Sequence, residues 1–337
     1  MQKILVIQTA FIGDVVLATA VVEKLALHYP TVQIDFLVRK GNESLLENNP
    51  HVKNILVWNK KEKKIRNLFS MLGKIRKNRY DKVINLQRFF ATGLLTAFSA
   101  ATETIGFDKN PLSFLFSTKI KHIISKADGI KHEVERNNDL IRSFTDNHFM
   151  RPKLYPSEKD FKVLSVYSPA PYVTMTPGSV WFTKQYPVEK WVELIQHFPA
   201  GYKIYLLGGK ENIPGCEDLE KRSGNANVKV LTGTLSFLQS AALMKNAVMN
   251  YVNDSAPLHF ASAVNAPVTA IFCSTVPAFG YTPLSDVSYI IETPEKLNCR
   301  PCGLHGYNAC PEKHFKCAMT IETDRLIQTL LKTTALA

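Results

Sequence analysis

The sequence predicts an α/β protein, two doubly wound, Rossmann-like domains in tandem, each a parallel sheet covered on both faces. Three observations lead there. The chain has 337 residues, more than one ordinary domain of about 150 residues holds. Short β-rich apolar runs alternate with helical patterns through both halves, as βαβ units require. The alternation breaks once, over residues 150–171, where Pro152, Pro156, Pro169 and Pro171 mark a linker.

In the first half, Lys3–Gln8, Gln33–Val38, Asn54–Trp58 and Lys82–Leu86 read as strands, with helices near Asp14–His28, Lys63–Lys77 and Phe89–Ala101. After the linker, Tyr172–Met175, Lys203–Leu207, Val228–Leu231, Val248–Val252 and Val268–Cys273 read as strands. Helices near Val188–His197, Glu211–Ser223, Phe237–Lys245 and Pro257–Val264 lie between them, and a last helical pattern covers Glu322–Lys332. Ligands of such sheets sit at the carboxyl ends of the strands, so the expected site is a central cleft that the two domains face.

Composition narrows the partners. No stretch reaches the roughly 20 apolar residues of a membrane-spanning helix, and the chain enters a strand at once without an apolar leader. A cytoplasmic protein is expected. The net charge of +12 is uneven: residues 1–150 hold 23 Lys/Arg against 14 Asp/Glu, and residues 151–337 hold 18 against 15. A basic first half suits nucleic acid, an anionic membrane surface or a phosphorylated substrate. No aromatic-rich recognition pattern accompanies the charge, so a nucleic-acid-binding protein ranks last and no nucleic-acid partner is expected. Residues 60–82 carry ten basic and two acidic side chains, while Ile65, Leu68, Phe69, Leu72 and Ile75 recur at helical spacing. Two readings fit: an amphipathic helix packed on its sheet with a solvated basic face, or a surface that meets anionic lipid headgroups.

Candidate chemistry follows the strands. After the first strand, Gly13 allows a tight turn and Asp14 opens a helix, where a carboxylate either caps exposed N–H groups or stands as a general base for a hydroxyl. The second domain opens with Thr176-Pro-Gly-Ser179 and then Lys184, a small-residue turn and a point charge suited to a diphosphate, or simply a solvated lysine. Asn253-Asp254-Ser255-Ala256 ends a strand and starts a helix with His259 one turn in, which fits a phosphate or ribose, or an ordinary capped helix. Gly208-Gly209 with Glu211 closes another strand, where a carboxylate could hold ribose hydroxyls.

Together these elements resemble glycosyltransferase family 9, the ADP-heptose:lipopolysaccharide heptosyltransferases. The carriers are Ile12-Gly13-Asp14-Val15, Pro177-Gly178-Ser179 with Lys184 and Pro187, Leu231-Thr232-Gly233, Asp254-Ser255 with His259, and Cys299-Arg-Pro-Cys302 with the later cysteines. The resemblance implies a GT-B fold, with an acceptor-binding domain over 1–165, a nucleotide-sugar-binding domain over 166–321, and a helix over 322–337 crossing back to the first. It implies an inverting, metal-independent transferase without a cofactor, moving heptose from ADP-heptose to the lipopolysaccharide core. Its partners would be a nucleotide-diphosphate sugar and a lipopolysaccharide or lipid A core acceptor; the basic stretch 60–82 adds the inner face of the inner membrane as an expected peripheral contact. A transferase using another nucleotide sugar for O-antigen or capsule is the nearest alternative. By matched positions Asp14 is the expected base. Gly13, Ser179, Lys184, Glu211, Asp254, Ser255, Ala256 and His259 make the expected donor set.

The chain departs from the family at Tyr186, usually Trp, and at Ala256, usually Gly, where a methyl crowds the diphosphate or alters donor choice. Cys299, Cys302, Cys310 and Cys317 form a cluster whose first pair has zinc-knuckle spacing, with His305 and His314 among them. Structural zinc and reduced thiols packed beside the cleft are the two readings of it.

Overall fold

Ile4, Leu5, Val6 and Ile7 are fully buried side by side, a continuous apolar run that only a strand covered on both faces accommodates. Val268–Phe272 is likewise buried throughout, its one polar residue, Thr269, sharing a hydrogen bond with the Thr329 hydroxyl. A computed structural model describes residues 2–126, 129–167 and 169–335. It divides the chain into Met1–Tyr155 and Pro156–Ala337, against the boundary expected at 165.

In the first unit, β1 (Lys3–Ile7), α1 (Ile12–His28), β2 (Gln33–Arg39), β3 (Val52–Trp58), α2 (Lys64–Asn78), β4 (Lys82–Asn85), α3 (Phe90–Ala97), β5 (Glu103–Phe107) and β6 (Thr118–Ile120) follow in order. The ladder of β7 (Ser125–Lys126) and β8 (Gly129–Ile130) precedes α4 (Glu133–Asp139). The main sheet has the order β3-β2-β1-β4-β5-β6, parallel throughout. Met71, Leu72 and Ile75 of α2 pack with Leu5, Leu37, Trp58 and Leu95 on one face. On α1, Val15–Val22 are fully buried, Thr19 included, and α4 packs against it.

The second unit repeats the plan. It contains α5 (Glu158–Leu164), β9 (Tyr172–Thr176), α6 (Val188–Gln196), β10 (Lys203–Leu206), α7 (Ile213–Ser223), β11 (Val228–Val230), α8 (Phe237–Lys245), β12 (Met249–Asn253), α9 (Ala256–Ala263), β13 (Val268–Phe272), β14 (Ser288–Glu292), α10 (Lys316–Met319) and α11 (Thr323–Thr334). Its sheet order is β11-β10-β9-β12-β13-β14, again parallel. Trp191, Leu194 and Ile195 of α6 meet Val173, Met175 and Tyr251 of the sheet. Leu326 and Leu330 of α11 are buried in this same core, so the helix expected to return to the first domain spends its apolar face on α6 and β14.

Among the described residues five strands and three helices go beyond the sequence reading: β5 to β8, β14, α4, α5 and α10. The sheet-edge strands β6 and β14 are only partly buried, so their apolar pattern is weak, and β5 is five residues with a central Thr-Ile-Gly. Helix α4, Glu-Val-Glu-Arg-Asn-Asn-Asp, has no apolar period. Tertiary polar contacts hold it instead: buried Arg136 pairs with Glu133 at 2.7 Å and donates to the carbonyls of Ile124 and Lys131. Helix α5 lies inside the expected linker, started by Ser157, whose hydroxyl accepts from the Asp160 N–H.

Candidate active site

In both sheets the strand order reverses beside the first strand of the unit, β1 next to β4 and β9 next to β12. At such a switch point the loops after the two strands part and leave room for a ligand. The candidate residues sit there, except Glu211, which follows β10.

In the first unit the turn after β1 is held from three other strands. The Thr9 hydroxyl donates to Gln87 Oε1 at 2.6 Å beyond β4, and Asn42 Nδ2 beyond β2 donates to the Ala10 carbonyl at 3.1 Å. Lys60 Nζ beyond β3 donates to the Thr9 carbonyl at 3.0 Å. Phe11 is extended, and Asp14, third residue of α1, accepts the Phe11 N–H at 3.0 Å. Gly13, expected to form the turn, is instead the second residue of α1 and has no positive φ; Gln8–Phe11 make the turn.

Asp14 is half-buried, and burial lifts its carboxyl to about 6. The negative Glu133 adds to the rise, while the N–H groups of Phe11 and Asp14 and the Arg39 guanidinium oppose it. A carboxylate tuned upward toward neutrality is a better proton acceptor than a solvated one. Around it, Arg39 lies 5.2 Å over the exposed Phe11 ring, and burial with Arg39 nearby pulls Lys60 down to about 8.

In the second unit, β9 leads into Thr176–Ser179 and then a single turn, Phe182–Lys184. Gly178 lets Asn212 close in: a Cβ there would stand 2.5–2.7 Å from the end of the Asn212 side chain, which would have to move aside. Buried Asn253 at the end of β12 donates to the Pro177 carbonyl at 2.7 Å and accepts the Tyr186 N–H at 3.0 Å. One side chain thus ties the two loops of the switch point together. Lys184 Nζ lies 2.8 Å from Asp254 Oδ2, with 15% and 9% of their side chains exposed. The Thr275 hydroxyl also donates to Asp254 Oδ2, at 2.6 Å.

Ser255 is the N-cap of α9, extended at φ −153°, and its hydroxyl lies 3.4 Å from the Asn253 carbonyl rather than capping the helix. Ala256 is the first residue of α9 and half-buried; His259, one turn in, is buried with its ring 6.3 Å from Tyr281. Glu211 lies exposed in the turn after β10, its carboxylate folded beside Gly209, and Ser179 is half-buried with its carbonyl accepting from Gln185. The structure thus joins Lys184 directly to Asp254, sets Ser255, Ala256 and His259 on the following helix, and leaves Glu211 on the neighbouring strand's loop. Tyr186 is a core residue: its hydroxyl donates to the Ile321 carbonyl at 3.1 Å and its ring meets Trp191 edge-on.

All four clustered cysteines are free thiols. Burial, then the neighbouring thiols Cys302, Cys310 and Cys299, pushes Cys317 up to about 12. Among the described residues no three His, Cys, Asp or Glu side chains converge to hold a metal ion.

A sequence model of glycosyltransferase family 9 (heptosyltransferase) matches residues 68–306. The chain belongs to glycosyltransferase family 9. The matched span includes Lys184, Glu211 and Asp254–His259, and Asp14 precedes it. This family 9 transferase is 26% identical over 279 residues to a lipopolysaccharide heptosyltransferase 3 of Escherichia coli, covering 79% of this chain and 82% of that one. It superposes on a family 9 glycosyl transferase from Veillonella parvula DSM 2008 with a TM-score of 0.86 at 20% identity, covering 100% of this chain and 98% of the other. For the structure titled E. coli ADP-heptose lps heptosyltransferase II the TM-score is 0.80 at 21% identity, with 99% of each chain covered. The fold is accordingly GT-B. Among the described residues no helix is long and apolar enough to cross a membrane.

Sequence reasoning missed Asn253 as the tie between loops, Thr275 as the partner of Asp254, and Glu133 and Arg39 as the charges around Asp14. Asn253 stands inside a quoted motif, so its position at a strand end was a usable signal. Thr275 and Glu133 carry none.

Proposed function

We propose that this family 9 enzyme is an inverting transferase that moves heptose from ADP-heptose onto the lipopolysaccharide inner core by a single displacement. Asp14 takes the proton of an acceptor hydroxyl, whose oxygen attacks the anomeric carbon as the bond to the diphosphate breaks. ADP leaves with the electron pair. Lys184 neutralises the charge that develops on the outer phosphate, and the amino end of α9 at Ser255–Ala256 supports it. His259 completes the phosphate contacts, Glu211 holds ribose hydroxyls, and Ser179 and Gly13 line the donor's path. Relatives named for lipopolysaccharide heptose transfer favour this donor over a capsule or O-antigen sugar. Arg39 and Lys60, beside the turn that leads into the helix bearing Asp14, suit an acidic acceptor.

The observation that carries the reading is the Lys184–Asp254 pair at the switch point of the second sheet. A lysine held by one carboxylate oxygen keeps N–H donors for a phosphate. Lys184→Ala should weaken ADP far more than adenosine, because only ADP offers phosphate charge. Equal losses by calorimetry would overturn the assignment.

Peripheral membrane contact belongs to the same reading. Helix α2 buries Met71, Leu72 and Ile75 but leaves Ile65 72% and Phe69 57% exposed, one turn apart among Lys61, Lys64 and Arg66. Apolar side chains standing out from a basic face fit the headgroup region of an anionic bilayer, which would keep the enzyme at the inner face of the inner membrane.

A further inference from the structure

The cysteine-bearing segment has no task in the reaction above, yet it is tied to the second unit at several points. Its ties come from Arg300, the backbone and a glycine, not from the thiols. The Arg300 guanidinium donates to the carbonyls of Cys273 at 2.8 Å, Phe272 at 3.1 Å and Thr275 at 2.7 Å, and its charge meets Glu292 at 2.7 Å. The Cys302 N–H donates to the Ser274 carbonyl at 2.9 Å. The stretch after β13 is therefore clamped along residues 272–275.

Two hydroxyls lead from that stretch to the phosphate end of the site. Thr275 donates to Asp254, the carboxylate that holds Lys184. Ser274 donates to Thr183 Oγ1 at 3.0 Å, next to Lys184 in the chain. The segment then reaches Thr183 itself: the Tyr307 N–H donates to Thr183 Oγ1 at 2.8 Å, and the Thr183 N–H donates to the Tyr307 carbonyl at 3.0 Å. Gly306 lies against the same place. A Cβ on it would stand 2.9 Å from Thr183 Oγ1, 3.1 Å from Lys184 Cγ and 3.3 Å from Ser274 Oγ, and its φ of +81° already favours glycine.

We propose that Arg300–Tyr307 is a clasp that positions the Lys184–Asp254 pair, with Arg300, Thr183 and Thr275 as positioning residues for phosphate binding. This rests on the reading of Lys184 as the diphosphate contact. A lysine stem is flexible and its ammonium is a point charge. Fixing the backbone of Lys184 through Thr183 and its head through Asp254 removes that freedom before the ligand arrives, so binding does not have to. One row of contacts reaches the ammonium through Asp254 and the other ends on Thr183 beside it in the chain, and the segment's role is mechanical.

Calorimetry with ADP and adenosine as probes tests it. Thr183→Val removes the hydroxyl at constant shape and should weaken ADP about tenfold or more, as loss of a well-placed charged hydrogen bond does, while adenosine changes little. Thr183→Ser, which keeps the hydroxyl, should restore ADP binding. Thr275→Val releases Asp254 without touching Thr183 and should give the same selective loss, which keeps the test open where Thr183→Val does not fold. Neither valine should have a further selective effect once Lys184→Ala is present. Equal weakening of ADP and adenosine, or an undiminished effect in the Lys184→Ala background, overturns the clasp and leaves a purely structural loop. If Lys184→Ala itself keeps the preference for ADP over adenosine, the diphosphate reading is overturned and the clasp with it.

Discussion

Asp14→Asn separates a base from a helix cap. Asparagine keeps an oxygen for the Phe11 N–H but accepts no proton from the acceptor, so turnover should fall by about two to four orders of magnitude. The raised carboxyl adds two readouts. In the wild type, turnover should rise with pH through about 6 and level off above it, because only the ionised carboxylate acts as base. The variant should lose that limb. Stability moves the other way. A folded-state value raised from 3.8 to about 6 means the protonated form favours folding, an advantage lost as pH rises through 6. At full burial the ionised group would cost roughly 3 kcal/mol; half-burial lets water screen much of this, leaving on the order of 1 kcal/mol. Asp14→Asn should therefore be more heat-stable than the wild type at pH 8, and the gap should close at pH 4. Initial rates across pH 5–9 with calorimetric melting at pH 4 and 8 measure all three. Near-normal turnover in the variant, or an unchanged acid limb, refutes Asp14 as the base.

Tyr186→Phe should lower stability by about 0.5–1.5 kcal/mol through loss of the hydrogen bond to Ile321 and leave the donor KM unchanged, read from denaturant midpoints and kinetics. Replacing Lys61, Lys64, Arg76 and Lys77 with Gln should weaken binding to acidic vesicles and its salt sensitivity, since exposed charges are screened within about 8 Å at physiological ionic strength, while transfer to a small soluble acceptor persists; equal loss of both activities in a folded protein counts against membrane contact. Phe69→Ser should weaken vesicle binding further without changing its salt dependence, and no change on flotation would leave α2 a solvated face.

The central strands and most helices were legible because each run is buried on both faces or carries a start signal. Phe237–Lys245 matched to the residue, with Ser236 capping it through Gln239. The edge strands β6 and β14 and helix α4 were not, since the two strands are only partly buried and α4 has no apolar period. The site divides in the same way. Lys184 and Asp254 were readable singly, as polar residues after apolar strands, but no local pattern announces that they pair. Gly13 misled because a glycine before an acidic residue looks like a turn, whereas here it opens the helix. The cysteines drew attention by their chemistry, while the working contacts of that segment belong to Arg300 and to backbone groups that a sequence does not display.

The most direct measurement is transfer itself: purified enzyme, ADP-heptose and a heptose-deficient lipopolysaccharide core, with ADP release followed by phosphorus NMR and the new glycosidic bond by proton NMR. The account predicts ADP and heptosylated core in equal amounts, with the anomeric configuration inverted relative to the donor and both lost in Asp14→Asn. Retained configuration, or transfer only from a different nucleotide sugar, would contradict it.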